Sequence, residues 1–394
     1  MTSSDAFEEG EQAGAAEAAA LRELEAVISP LFARSEPQRQ ALLYLVGLLG
    51  AQARKNGWQL ARYVGDDGPW RMQRLLNRAK WNADAGRDAL RHYVLDHVAS
   101  PSAALCLGET AVSRRGRSSA GVDRQYNPVT GRMETCQIGI FAAYAPASAA
   151  LLVDRELYLP RSWADDPVRR EQAKVPAGRT YAGKPALAVQ MVQRARDAGM
   201  PFRYVTCDGA FGADPSLRRW LERAGVPYVV RVPGSLPVLA DRQGPVVTAA
   251  TALAARRDRQ HRRPDDHGRG EPLWRAHRVL LPGDPHDHGA AEREHVLLVR
   301  CGTAAEPRAT LYLGHSTGPA DSDELVTAAM RAPLIDAALR IARDDVGLDR
   351  YEVRSWQGWY RHVTLAMLAA AFLAIHGGAG SIGGAQAPAS PLSA

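Results

Sequence analysis

The sequence predicts an α/β (α+β) fold: a mixed β-sheet with flanking helices and a β-rich insertion, preceded by an all-helical N-terminal domain. Three observations predict it. Between about Ala20 and Ala99 apolar residues recur at three- and four-residue intervals, as in LRELEAVISPLF, QALLYLVGLLG and ALRHYVLDHV, which is helical periodicity. The pattern then turns to strand-like runs, SAALCLG, METCQIGIFAAYA and ASAALLVDRELYL, with Pro146 in a short turn between the last two, as in an antiparallel meander. Beyond them KPALAVQMVQRARDAG reads as helix, FRYVTCD as strand, DPSLRRWLERAG as helix and PYVVRVP as strand, the α/β alternation.

Later elements follow the same logic. From about Leu236 to Pro319 a polar stretch, ARRDRQHRRPDDHGRGEP, precedes strands WRAHRVLL, EHVLLVRC and TLYLGH, the insertion. A helix starts near Ala332 and Pro333, since proline is tolerated in the first turn, and runs to about Asp345; a last one spans about Trp359 to Ile375. The expected units are a tail over 1–20, helices over 21–99, the first part of the sheet domain over 100–235, the insertion over 236–319, the rest of the sheet domain over 320–376, and a tail over 377–394. Both tails are poor in large apolar residues and are expected to be disordered.

Composition narrows the function classes. The 394 residues carry 49 Lys and Arg against 43 Asp and Glu, net +6 with a pI near 9.2, a bias toward a polyanionic partner that an Arg-rich chain from a high-GC genome would also show. Cysteines at 106, 136, 207 and 301 form no Cys-x-x-Cys pair, so neither a zinc knuckle nor a disulfide framework is readable, and a reducing cytosol fits. The acidic start MTSSDAFEEGEQ is unlike a secretory signal, and the longest apolar run, Val363 to Ile375, reads as a buried helix. A cytoplasmic protein without membrane contact is therefore expected.

Phosphoryl transfer by two divalent metals needs carboxylates from separated elements converging on one site. Three positions suit that geometry: residue 108 ending the first strand, Asp208 ending FRYVTCD, and Asp336 in the late helix. The first is Gly108.

The residues between about Pro30 and Ile375 resemble the DDE-class insertion-sequence transposases, in the bacterial branch marked near its C-terminal side by GLD, YEVR and WYRH. The likeness is carried by LFARSEPQRQALLYL, RKNGWQLARY, QRLLNRAKWNADAGRDALRHYV, RRGRSSAGVDRQYNPVTGRMETCQIGIFAAYA, DRELYLPRSWADDPVRR, YVTCDGAFG and VGLDRYEVRSWQGWYRHVTLAMLAAAFLA. It implies a ribonuclease-H-like fold, DNA cleavage and strand transfer, Mg or Mn as cofactor where catalysis survives, and double-stranded transposon ends as partner. Homodimerisation stays open. Carried over position by position, Asp208 matches the second catalytic aspartate, with Phe211 and Gly212 following it. Leu107-Gly108-Glu109-Thr110 stands where the family reads Leu-Asp-Glu-Thr. Asp336 and Arg343 stand where it has Glu and Lys.

The resemblance thus implies a transposase-family protein with a degenerate site, Asp208 and Asp336 remaining as metal ligands. Glu109 is expected to point to the opposite face from Gly108. Cys106 should share that face, chiefly as a small buried residue. Asp123 and Asp154 are the other acids that a shifted loop could supply. DNA-contact candidates are Arg54, Lys55 and Asn56; Arg71, Arg74, Arg78 and Lys80; Arg114, Arg115 and Arg117; and Trp359, Tyr360, Arg361 and His362, which either stack on a DNA end or support the fold. Histidines 261, 267, 277, 286, 288 and 295 lack a repeating ligand interval and read as a flexible polar surface. Two other functions are open: a non-catalytic DNA-binding protein, or an enzyme recruited to small-molecule chemistry in a cavity left by Gly108, with Cys106, Glu109, Asp208 or His362 as nucleophile or acid/base.

Overall fold

The computed structural model describes residues 18–52, 54–147, 149–239, 245–254, 260–261, 273–282, 294–301, 308–318 and 321–377. Helices come first: α1 (residues 18–28), α2 (Ser35–Leu49), α3 (Gly57–Tyr63), α4 (Trp70–Asn77) and α5 (Ala83–Val98). Residues 18–20, read from the sequence as tail, are already helical; residues 1–17 and 378–394 lie outside the described residues. Their ends follow local chemistry: Asn56 and Asn82 accept hydrogen bonds from Gln59 N and Asp84 N and so cap α3 and α5.

The strands β1 (Ala104–Ser113), β2 (Asp123–Asn127), β3 (Arg132–Ala145) and β4 (Leu151–Leu157) come next, followed by α6 (Arg161–Ala164), α7 (Pro167–Gln172) and α8 (Lys184–Asp197). Then β5 (Tyr204–Cys207), α9 (Gly209–Gly212), α10 (Pro215–Arg223) and β6 (Tyr228–Val232) alternate. β1 is antiparallel to β3 and β3 to β4, whereas β1–β5 and β5–β6 are parallel. The spatial run β4-β3-β1-β5-β6 is a ribonuclease-H-like mixed sheet. β1 and β4 are buried almost without alternation because helices cover both faces; β2, at the edge, alternates.

The insertion is a continuation of this sheet. β7 (Pro237–Leu239), β8 (Val246–Thr248), α11 (Ala249–Ala254), β9 (Gln260–His261), β10 (Trp274–Leu280), β11 (Glu294–Arg300) and β12 (Thr310–His315) extend it through the antiparallel β12–β6 pair. Among the described residues twelve strands form one sheet. Much of the polar run between β9 and β10 lies outside them.

The chain returns as α12 (Ser322–Arg331), α13 (Leu334–Asp344) and α14 (Trp356–His376). α14 is buried at almost every position from Trp356 to Phe372, as an all-round apolar helix must be. It is long and apolar enough to cross a membrane by length and composition, yet most of that stretch is inside the protein, packed on α2, α4, α5 and β4.

Candidate functional site

Parallel pairing of β1 with β5 sets Leu107 opposite Cys207, so Asp208, just past the end of β5, follows beside Gly108; β1 itself runs on to Ser113, which corrects the expectation that residue 108 ends the strand. α13 crosses this point. A Cβ at Gly108 would lie 2.8 Å from Cγ1 and 3.0 Å from Cγ2 of Ile335, which is 1% exposed. Those atoms sit next to the helix backbone and have little room to yield. Glycine at 108 is therefore a packing requirement of this α13 position, and the space that a first carboxylate would need is filled by isoleucine.

Asp208 caps the single turn α9, its Oδ1 accepting from Ala210 N at 3.1 Å. Desolvation raises its pKa, against the backbone hydrogen bonds of Ala210 and Phe211 and the charges of Arg231 and Lys184. Asp336 lies on the exposed side of the first turn of α13, beside Ile335. Its pKa is raised by desolvation and then by the charge of Asp208, with Arg231 and Arg343 opposing. The two carboxylates thus sense each other's charge. Among the described residues no third ligating side chain joins them.

The neighbours offer no substitute. Glu109 is buried and pairs with Lys184 Nζ at 2.6 Å at the start of α8; desolvation raises its pKa, Lys184 lowers it and Asp208 raises it. The Cys106 thiol is fully buried, donates to the Arg331 carbonyl at 3.3 Å and is pushed up to about 11 by burial. Asp154 is enclosed by arginines, and Asp123 lies on β2, beyond β3, bonded to Ser162. Arg343 donates to Thr110 Oγ1 at 3.4 Å. The expected cavity at Gly108 is thus corrected: Ile335 occupies it, and Cys106 is inaccessible as a nucleophile.

Tyr351 and Val353 of YEVR and all four residues of WYRH turn inward, whereas Glu352 and Arg354 are exposed. Arg114 donates to the Tyr351 carbonyl at 3.1 Å and stacks 4.1 Å over that ring; Tyr351 in turn donates to Gln137 Oε1 at 2.5 Å and accepts from Trp359 Nε1 at 3.2 Å. Tyr360 donates to Glu156 at 2.8 Å, and Arg361 donates to the carbonyls of Leu76 and Trp81 at 3.1 and 2.9 Å. Trp359, Tyr360, Arg361 and His362 are all buried, so of the two expected roles, stacking on a DNA end or supporting the fold, they take the second and lock α14 to the sheet and to the N-terminal helices.

His362 is the tightest of these locks. With no exposure, it takes a hydrogen bond at Nδ1 from Tyr44 Oη, 2.7 Å away, and donates from Nε2 to the Leu348 carbonyl at 3.2 Å. Burial lowers its pKa to about 4, so the ring is neutral and no acid/base catalyst at ordinary pH. The unfolded histidine binds its proton near pH 6.5 and the folded one refuses it down to about 4, so stability is lost as pH falls through that window. The loss expected is about 3 kcal/mol. Urea unfolding from pH 7 to 4 should show a shallower pH slope for His362→Gln than for the native chain; equal slopes would refute this.

The predicted basic clusters divide. Arg54, Arg115 and Arg117 are exposed, Arg114 is half-buried, Asn56 is the α3 cap, and Lys55 is buried with its Nζ donating to the carbonyls of Leu48, at 2.5 Å, and Gly50. Lys55 therefore closes the end of α2 rather than meeting a phosphate, a second correction. Arg71, Arg74, Arg78 and Lys80 are exposed, Arg71 paired with Asp66 at 3.1 Å and Arg74 with Glu36 at 4.0 Å. Beside them the structure shows what the sequence reading missed: Trp58 and Trp70, 56% and 66% exposed, meet edge to face at 5.8 Å. His277 and His295 are buried in β10 and β11, His295 within 3.1 Å of Glu222, correcting their reading as polar surface; His267, His286 and His288 lie outside the described residues.

Residues 28–280 match the family described as DDE superfamily endonuclease. The chain is also 22% identical over 197 residues to the probable transposase for insertion sequence element IS701 of Microchaete diplosiphon. That match covers 49% of this chain and 48% of the relative, so the chain spans about half the length of the curated relative it matches.

Proposed function

The chain belongs to the DDE superfamily of endonucleases, and from that premise we propose that it is a cytoplasmic DNA-binding protein of transposase descent whose strand-cleaving centre is impaired. The observation that carries this reading is Ile335 filling the position of the first carboxylate beside Asp208. Asp208 and Asp336 would hold a single Mg²⁺ or Mn²⁺, which when bound supplies Lewis acidity to a phosphate. The chain's own residues do the rest: Asp208 is fixed as a helix cap, Arg231 offsets the charge of both acids, and Glu109 is held away by Lys184. Recruitment to small-molecule chemistry has no observation in its favour, since its cavity is filled.

Double-stranded DNA, including the ends of a related element, is the partner that the basic balance and the Arg54, Arg71, Arg74, Arg78 and Lys80 surface support. Trp58 and Trp70 supply exposed ring faces beside those charges. Binding to a random-sequence duplex and to duplexes from the DNA flanking the coding region, measured against salt, tests the reading. Affinity should fall steeply with salt, and Arg71→Ala with Arg74→Ala should reduce the log–log slope by about 2. Trp58→Ala should weaken binding about tenfold with the slope unchanged. Supercoiled plasmid with Mg²⁺ or Mn²⁺ should remain unnicked; robust metal-dependent nicking by the native chain would overturn the impairment, and salt-independent binding the DNA surface.

A further inference from the structure

Three side chains from distant parts of the sequence converge. Glu23 of α1, His97 in the last turn of α5 and His376 at the end of α14 present ligating atoms that all lie within 4.8 Å of one another. His97 Nε2 is 2.9 Å from Glu23 Oε1, and His376 Nε2 is 3.3 Å from Glu23 Oε2. Both imidazoles thus aim the same nitrogen at one carboxylate.

The surroundings fix that aim. His97 Nδ1 lies 2.8 Å from the Tyr93 carbonyl, an acceptor, so this nitrogen carries the proton and Nε2 is the position free to ligate. Tyr93 Oη stands 3.0 Å from His376 Nε2, and Phe372 backs the His376 ring with centroids 4.7 Å apart. The two rings stand 5.8 Å apart, edge to face, and both Nε2 atoms reach the same carboxylate.

We propose that Glu23, His97 and His376 form a transition-metal site, with zinc as the best-suited ion. Two imidazole nitrogens and one carboxylate are a borderline donor set that selects zinc and its neighbours over magnesium. Bond lengths of about 2.1 Å in a tetrahedral arrangement place ligand atoms about 3.4 Å apart, close to the spacings present. A water completes the fourth position. The site clasps α1, α5 and the end of α14, so that metal binding adds to the stability of the packed helices. It is independent of the DNA-binding reading and of the acids at Asp208 and Asp336.

The test uses the full chain stripped with chelator and titrated with zinc chloride by calorimetry, with thermal unfolding followed in parallel. Because the chain has 11 histidines and 4 cysteines, the comparison with variants decides. One zinc per chain is expected, with a melting point raised by about 3 °C or more at saturating zinc and no matching rise with magnesium. His97→Ala and the near-isosteric Glu23→Gln should each weaken zinc binding at least tenfold, with native circular dichroism for Glu23→Gln confirming the fold. Zinc uptake equal in native and variant chains would overturn the site. So would the absence of uptake, which would leave an ion-pair clasp.

Discussion

Replacing Asp154 with alanine is expected to destabilise the fold by about 3–5 kcal/mol, because it strands buried cations. Asp154 is 1% exposed on β4 and is faced by four guanidiniums: Arg91 in a short charged hydrogen bond, Arg194 at 3.0 Å, Arg155 at 3.9 Å and Arg87 at 4.0 Å. Of their remaining partners, Asp84 is exposed, Asp88 is half-buried and only Glu156 is buried. Arg87 reaches Asp84 at 3.2 Å and Asp88 at 2.9 Å, Arg91 reaches Asp88 at 3.3 Å, Arg155 reaches Asp84 at 3.0 Å, and Arg194 reaches Glu156 at 2.9 Å. Arg91 and Arg155 are almost wholly inside, so the loss of Asp154 removes the anion that offsets their desolvation. Because these arginines come from α5, β4 and α8, the damage falls on the joint between the N-terminal helices and the sheet. Asp154→Asn should recover only a small part, since it restores shape and an acceptor without charge. Urea unfolding followed by circular dichroism checks this, and a shift below about 1 kcal/mol at unchanged denaturant dependence would refute the uncompensated-cation argument.

The same network shows where sequence reading stops. β1, β3, β5 and β6 were legible because burial on both faces leaves apolar runs, β4 from its apolar flanks around Asp154, Arg155 and Glu156, and α13 because proline and the apolar spacing mark its start. Polarity in a window says nothing of partners, however. Lys55, Arg361 and His362 read as surface groups, yet each is buried against backbone carbonyls that belong to other elements. Conversely Trp58 and Trp70, which no sequence pattern singled out, lie exposed on the surface. Gly108 beside Asp208, with Asp336 near enough to sense its charge, follows from strand order and helix spacing, although β1 runs five residues past 108. Ile335 over Gly108 does not, since a clash of a few tenths of an ångström exists only in three dimensions. The cluster of Glu23, His97 and His376 was equally hidden, its members being separated by nearly the whole chain.

That clash decides what a restored carboxylate can do. Gly108→Asp alone is expected to fail on two counts. Its Cβ would stand 2.8 and 3.0 Å from the branched carbons of Ile335, an overpacking that costs about 1–3 kcal/mol. Its carboxylate would also join Asp208 and Asp336, whose pKa values are already raised, adding a third like charge. Ile335→Val would keep both obstructing atoms, whereas Ile335→Ala removes both and makes room for the new side chain. The combination Gly108→Asp, Ile335→Ala and Asp336→Glu should therefore gain what the single change cannot. With 10 mM Mg²⁺ its stability should rise relative to the same chain in chelator, by about 2.7 kcal/mol if the ion is a hundredfold above its dissociation constant, while the native chain gains less. Nicking of supercoiled plasmid should accompany that metal-dependent stabilisation at least a hundredfold above the native chain, roughly 2.7 kcal/mol of transition-state stabilisation. Strong nicking by Gly108→Asp alone would show that α13 yields and that Ile335 is no barrier. Stabilisation by Mg²⁺ without nicking in the combined variant would place a further defect outside the three acids, and the absence of both would refute the reading of residue 108 as a lost metal ligand.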